Sequence, residues 1–260
     1  MKMKKKTSIF LSIALAAGVL AGCGAKEQTG DGMKLVDKEK FTFAASGEFK
    51  PFSYMEGNEM TGFDVEVGEA VAKELGLEPE AKKMKFASII EGVKSGRVDA
   101  AVASHTINDE RKEQVAFSTP YYYSGPQIFT RSDSDIQVAA DLKGKEVAVA
   151  KGSTYASTAA EHTDNIKQYD SDITALRALS DGRHDAVITD FVTGKEAIGE
   201  GYKIEGRELL GRSEQAIAVS KGNEELVKQI DKALEKLRED GTLKEISEKY
   251  FGEDITVLPE

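Results

Sequence analysis

Gly96-Arg97-Val98-Asp99-Ala100-Ala101-Val102 and Gly182-Arg183-His184-Asp185-Ala186-Val187-Ile188 read almost alike. Each follows a helix-like segment and runs directly into a short apolar, β-rich one. The echo predicts a helix–turn–strand unit used once in each of two similar α/β lobes. Five residues beyond the aspartate, the first copy reaches Ser104 and the second Asp190, equivalent positions at two strand ends. Open α/β sheets bind ligands beyond the carboxyl ends of their strands, so a cleft is expected there.

Working outward, Phe41-Thr42-Phe43-Ala44-Ala45 alternates like an opening strand, and a helix is expected from Asp64 until Gly76 stops it. A strand near Lys82–Lys85, a helix over Ser88–Ser95 and a strand over Ala100–Ser104 complete a strand–helix–strand pattern typical of a parallel sheet. The second half repeats the order: strand 146–150, helix 155–161, strand 165–169, helix 172–180, strand 186–189. Two extended segments, 127–131 and 215–220, are expected to form a paired hinge. Helices over 224–239 and 243–251 would return the chain to the first lobe. The expected division is 41–128 with 216–260 as lobe 1 and 129–215 as lobe 2.

The N-terminus carries a basic start, Met1-Lys2-Met3-Lys4-Lys5-Lys6, then an apolar run from Ile9 to Leu20, short for a bilayer span. Leu20-Ala21-Gly22-Cys23 resembles the bacterial lipoprotein signal, in which the cysteine is acylated and becomes the first residue. Cys23 is the chain's only cysteine, so no intramolecular disulfide or thiolate cluster is available. Residues 1–22 are thus expected as a signal peptide and 23–40 as a flexible tether. Removing four signal lysines takes the formal charge from −10 to −14 (−10 − 4), which argues against nucleic acid and anionic lipid surfaces as partners. His105, His162 and His184 lack metal-ligand spacing, and no Walker loop or strand-to-helix G-x-G-x-x-G occurs, so no cofactor or metal is expected.

The local sequence richest in chemistry is Ser104-His105-Thr106-Ile107-Asn108-Asp109-Glu110-Arg111, followed by Phe117-Ser118-Thr119-Pro120-Tyr121. Together with Gly62-Phe63-Asp64-Val65-Glu66 and Gly96-Arg97-Val98-Asp99, these motifs resemble the polar amino acid family (family 3) of extracellular solute-binding proteins of ABC importers. The resemblance runs from about Phe41 to Phe251. It implies a two-lobed, periplasmic-binding-protein-like (type II) α/β fold, an amino acid ligand, a permease partner, a lipid-anchored monomer on the outer face of the membrane, and no enzymatic activity.

A free amino acid is a zwitterion, and burying it requires partners for both charges. Arg111 offers a planar fork that matches a carboxylate, and Thr106 a hydroxyl. The Gly152-Ser153-Thr154 turn would add Ser153 and Thr154 from the second lobe. Asp190, with carbonyls near Ala103 and Ser104, would take the ammonium. The resemblance places Phe49 and Phe86 against the ligand's side chain. Similar proteins often carry Trp at the latter position, and those that bind cationic side chains place an acid near Ser46. Here the nearest acid is Glu48, which speaks against a cationic side chain. Two alternatives share the fold: a cyclodehydratase-like enzyme, for which no general acid stands out, and a ligand-sensing module.

Overall fold

The computed structural model describes residues 32–258; the expected signal peptide and Cys23 lie outside the described residues. The chain opens with β1 (Lys40–Ala45), a small antiparallel sheet of β2 (Glu48–Phe49), β3 (Ser53–Glu56) and β4 (Glu59–Thr61), then α1 (Phe63–Glu74), β5 (Glu78–Lys83), α2 (Phe86–Lys94), β6 (Ala100–Thr106), α3 (Asp109–Gln114) and β7 (Val115–Ser124). It continues with β8 (Pro126–Thr130), β9 (Val147–Ala150), α4 (Tyr155–Ala160), β10 (Ile166–Tyr169), α5 (Asp172–Ser180), β11 (Ala186–Asp190), α6 (Phe191–Gly199) and β12 (Glu205–Leu209). It closes with β13 (Ser213–Ser220), α7 (Glu224–Glu239) and α8 (Thr242–Phe251).

Two five-stranded sheets result, ordered β5-β1-β6-β13-β7 and β10-β9-β11-β8-β12. In the first, β1 lies parallel to β5 and β6, and β13 runs antiparallel to β6 and β7. In the second, β9 lies parallel to β10 and β11, with β8 antiparallel to β11 and β12.

The echoed motif does the same work in both halves. Gly96 and Gly182 take the left-handed conformation that ends α2 and α5, with φ of 69° and 79°. The aspartates then fasten neighbouring strands. Asp99 accepts from the Thr42 and Val36 amides, each at 2.7 Å, and Asp185 accepts from the Glu146 amide at 2.7 Å. Strand β6 is thereby tied to the start of β1, and β11 to the start of β9.

Alternation along the strands assigns the faces. Phe41, Phe43 and Ala45 pack with α1, α7 and α8, while Ala44, Ala101 and Ala103 face α2. Each fully buried phenylalanine contributes about 1.5–3 kcal/mol relative to exposure. In the second sheet Val147 and Val149 pack against Tyr155 and Ala159 of α4, while Ala148 and Val187 pack against α5 and Ala197 of α6. Helices α4 and α5 therefore lie on opposite faces, as right-handed crossovers in opposite directions require.

Three expectations need correction. The chain does cross twice between the lobes, but not within the extended segments 127–131 and 215–220, since β8 belongs to the second sheet and β13 to the first. The crossings fall earlier, at Gly125 and at 210–212, and they touch; a Cβ on Gly125 would stand 2.1 Å from the Gly211 carbonyl oxygen. Of the expected tether 23–40, residues 23–31 lie outside the described residues, and residues 33–35 are docked: Lys34 exchanges two hydrogen bonds with the Asn223 side chain while Met33 and Leu35 pack on the core. Finally, the strand expected near Lys82–Lys85 runs over Glu78–Lys83 in register with β1.

Candidate ligand-binding cleft

The carboxyl ends of both parallel strand sets open onto one cavity of about 490 Å³, counting space open to solvent. Phe49, Phe86, Ser104, Thr106 and Arg111 line it from the first lobe, and Ser153 and Thr154 from the second. Ala103 and Asp190 do not reach its wall. Ala103 is packed beneath α2, and Asp190 is fully buried at the N-cap of α6. Ser46, Glu48, Ala150, Tyr155, Asp170, Ser171 and Asp172 complete the lining.

Arg111 is positioned by α3, whose N-cap Asn108 accepts from the Arg111 amide at 2.8 Å. Its guanidinium donates to the Thr106 carbonyl at 2.9 Å and, across the cleft, to the Gly152 carbonyl at 3.0 Å. Only 8% of the residue is exposed, and it makes no ion pair among the described residues. Burial lowers its pKa. The remaining N–H groups are directed donors awaiting an anion.

Phe86 lies beneath this cation, 5.9 Å from the guanidinium carbon to the ring centre, and stacks on His105 at 4.6 Å and 18°. Burial, then the Arg111 charge, holds the His105 imidazole well below its usual range, so it is neutral. His105 is thus a support for Phe86.

Ser104 occupies a left-handed conformation, φ 57°, uncommon for a residue with a Cβ. A buried network holds it there. Its amide donates to Tyr121 Oη at 2.9 Å, its hydroxyl to Asp64 at 2.8 Å, and Tyr121 donates to Asp64 at 2.6 Å. Burial pushes Asp64 up to about 7. Asp64 and Tyr121 stand in the motifs that mark the resemblance, but only the fold shows that they meet at Ser104.

In the second lobe Ser153 spends its hydroxyl on the Ala150 carbonyl at 2.7 Å, and Thr154 makes no side-chain cap. What this turn offers a ligand is therefore backbone N–H and the free Thr154 hydroxyl. Asp190 accepts from the Val192 amide at 2.9 Å, while its Oδ2 has no hydrogen-bond partner among the described residues. Burial pushes it up to about 7. Asp172, the first residue of α5, accepts from the Thr189 hydroxyl at 2.6 Å, and burial raises it to about 6. The only available signal for Asp172 was an acid placed just after a strand and at a helix start.

Two α/β lobes closed on a buried, unpaired guanidinium define a binding protein that traps a small anionic or zwitterionic ligand between its halves. The chain belongs to the bacterial extracellular solute-binding proteins, family 3, whose model matches residues 41–253. It is 37% identical to the probable amino-acid-binding protein YxeM of Bacillus subtilis over 99% of this chain and 98% of that one. It is 34% identical to the L-cystine-binding protein TcyJ of Escherichia coli K12, covering 93% and 94%. An ancestral arginine-binding protein bound to arginine superposes with a TM-score of 0.79 at 36% identity, over 82% of this chain and 99% of that one.

Proposed function

We propose that the protein captures one free amino acid between its lobes and presents the closed form to the permease of an ABC importer. The observation that carries this reading is Arg111: a buried cation that bonds one carbonyl of its own lobe and one across the cleft and has no anionic partner among the described residues. The ligand's carboxylate would complete it, assisted by Thr106 and the N–H groups of the Ser153–Thr154 turn. Its ammonium would meet Ser104 and the carbonyl near Ala103, with Asp190, buried behind the cavity wall, supplying negative charge from behind them. Phe49 and Phe86 would bound the side chain. The lobes would part about Gly125 and Gly211, and ligand contacts made only when closed would favour closure.

Cys23 is proposed as the acylated N-terminus that ties a monomer to the outer face of the membrane, on the strength of Leu20-Ala21-Gly22-Cys23. Capture rather than turnover is favoured because the known relatives are described as binding proteins. Calorimetry against a panel of amino acids, with product analysis of the same samples, tests the whole reading. The expected result is micromolar or tighter binding of at least one amino acid without turnover, abolished in Arg111→Ala. Unchanged affinity in that variant, or conversion of the ligand, overturns it.

A further inference from the structure

Resting on the amino acid reading above, we propose that Asp64 is a positioning residue for the α-ammonium: it takes the Ser104 proton and so fixes that hydroxyl as an acceptor toward the cleft. Asp64, the second residue of α1, is fully buried and stands outside the cavity wall, with no cation beside it among the described residues. An acid at a helix start commonly serves the amides of its own first turn. Here both oxygens point elsewhere. Oδ1 accepts from Tyr121 Oη at 2.6 Å and Oδ2 from Ser104 Oγ at 2.8 Å, which ties α1 to β7 and β6.

The backbone at Ser104 is shaped to the same end. The ladder between β6 and β13 shifts register between Ala101 and His105, and Ser104 falls in that gap with φ of 57°. Its amide donates to Tyr121 Oη at 2.9 Å rather than to a neighbouring strand, and the residue reaches the cavity wall. A left-handed residue with a Cβ persists only where its surroundings impose it, and the surroundings here are Tyr121 and Asp64.

A serine hydroxyl has one proton and two lone pairs. With the proton committed to Asp64, Ser104 offers the cleft lone pairs alone. An ammonium carries three protons and no lone pair, so it fits such a surface. Tyr121 closes the alternative arrangement. Its hydroxyl already accepts from the Ser104 amide, and in its fully buried position it must place its own proton on Asp64. In Asp64→Asn the side-chain oxygen is therefore held by Tyr121 and the amide nitrogen falls opposite Ser104, which turns the serine proton into the cleft.

Calorimetry compares the tightest-binding L-amino acid, chosen from the common amino acids and L-cystine, with the L-2-hydroxy acid of the same side chain. The two share the carboxylate that answers Arg111 and differ at the ammonium. Asp64→Asn is expected to weaken the amino acid at least about 10-fold and the hydroxy acid by less than about threefold, because hydrogen bonds to charged groups are the stronger ones. Ser104→Gly keeps the left-handed backbone and removes the hydroxyl. In that background Asp64→Asn should cost the amino acid less than about threefold further, and this cycle decides alone if the hydroxy acid is too weak to measure. Equal weakening of both compounds, or a loss that persists without the Ser104 hydroxyl, overturns the proposal, since a purely structural contribution to α1 gives those results.

If Asp64→Asn does not fold, wild type and Ser104→Gly decide. Burial pushes Asp64 up to about 7, while Tyr121 and Tyr122, the titratable groups beside it, are pushed well above their ordinary range and stay neutral. A protonated Asp64 carries its proton on the Ser104 side, so seating the ammonium near pH 6.5 releases protons from Asp64. Binding heats in two buffers of different ionisation enthalpy should show more release from wild type than from Ser104→Gly, with Asp172 and Asp190 common to both. Equal release overturns the proposal. Absence of binding by every amino acid overturns the amino acid reading itself, and this inference with it.

Discussion

Among the described residues, Arg111 is a cation whose surroundings supply dipoles but no counter-ion, since its guanidinium bonds only the Thr106 and Gly152 carbonyls. Such a group is a burden on the empty protein and an asset only once an anion arrives, because unpaired buried charge costs more than an apolar side chain of similar length. Arg111→Met should therefore leave the ligand-free melting temperature unchanged or higher, while the ligand-induced rise disappears. Thermal melts with and without ligand check both halves. A large drop in the ligand-free melting temperature would mean that the carbonyl clasp, not ligand recognition, is the residue's main contribution.

The buried acids make a second residue-level prediction. Asp64 and Asp190 are held near 7 and Asp172 near 6, all by burial, against about 3.9 in an unfolded chain. The folded state therefore binds these protons more tightly than the unfolded state between about pH 4 and 7, and stability falls as pH rises through that window. Urea unfolding of the ligand-free protein should give a higher midpoint at pH 5 than at pH 7.5. Asp64→Asn should flatten that slope; an unchanged slope would show that Asp64 titrates normally.

At the scale of elements, α6 shows how close packing places a functional group. Gly194 faces Phe129 of β8, and a Cβ there would come within 1.9 Å of the ring. A helical glycine usually gains stability on replacement by alanine, by about 1 kcal/mol. Here overpacking of a fully buried phenylalanine, which costs about 1–3 kcal/mol, should outweigh it, for a net loss of up to about 2 kcal/mol. Because Asp190 caps the same helix, Gly194→Ala should also weaken ligand binding. Denaturant titration and calorimetry on one preparation test this, and a variant more stable than the parent would refute the close contact.

What the sequence made legible at this scale follows from pattern length. Helices α5 and α7 are found where apolar spacing places them, because nine and sixteen residues give the period room to show. The β2–β4 sheet escaped notice because its strands have two to four residues and mixed polarity. Strand β7 was hidden by Pro120, which sits where the register with β13 shifts and so forfeits no regular ladder bond. In the site, Arg111 and Thr106 were readable because one strand end and one short helix hold them. Asp172 was not, since only the fold brings the start of α5 to the cavity wall.

For the whole molecule, closure is fastened at the rim as well as at the ligand. Lys50 of the first lobe reaches Glu196 of α6 at 3.0 Å and Glu200, just past its end, at 2.6 Å, and Lys85 reaches Asp170 at 2.7 Å. The Glu200 hydrogen bond is the chief reason that the Lys50 pKa is raised. These pairs join opposite lobes, so opening must break them, and their partly exposed positions leave them open to screening. Raising salt from about 0.1 to 1 M shortens the screening length from about 10 to 3 Å. Ligand affinity should then fall roughly threefold, through faster dissociation rather than slower association, because the rim pairs act after encounter. The Lys50→Ala, Lys85→Ala double variant should start from the weaker affinity and lose most of its salt dependence. Stopped-flow dissociation rates at both salt concentrations decide the matter. Equal salt slopes in parent and variant would place the sensitivity in the ligand's own charges and leave the rim lysines without a part in closure.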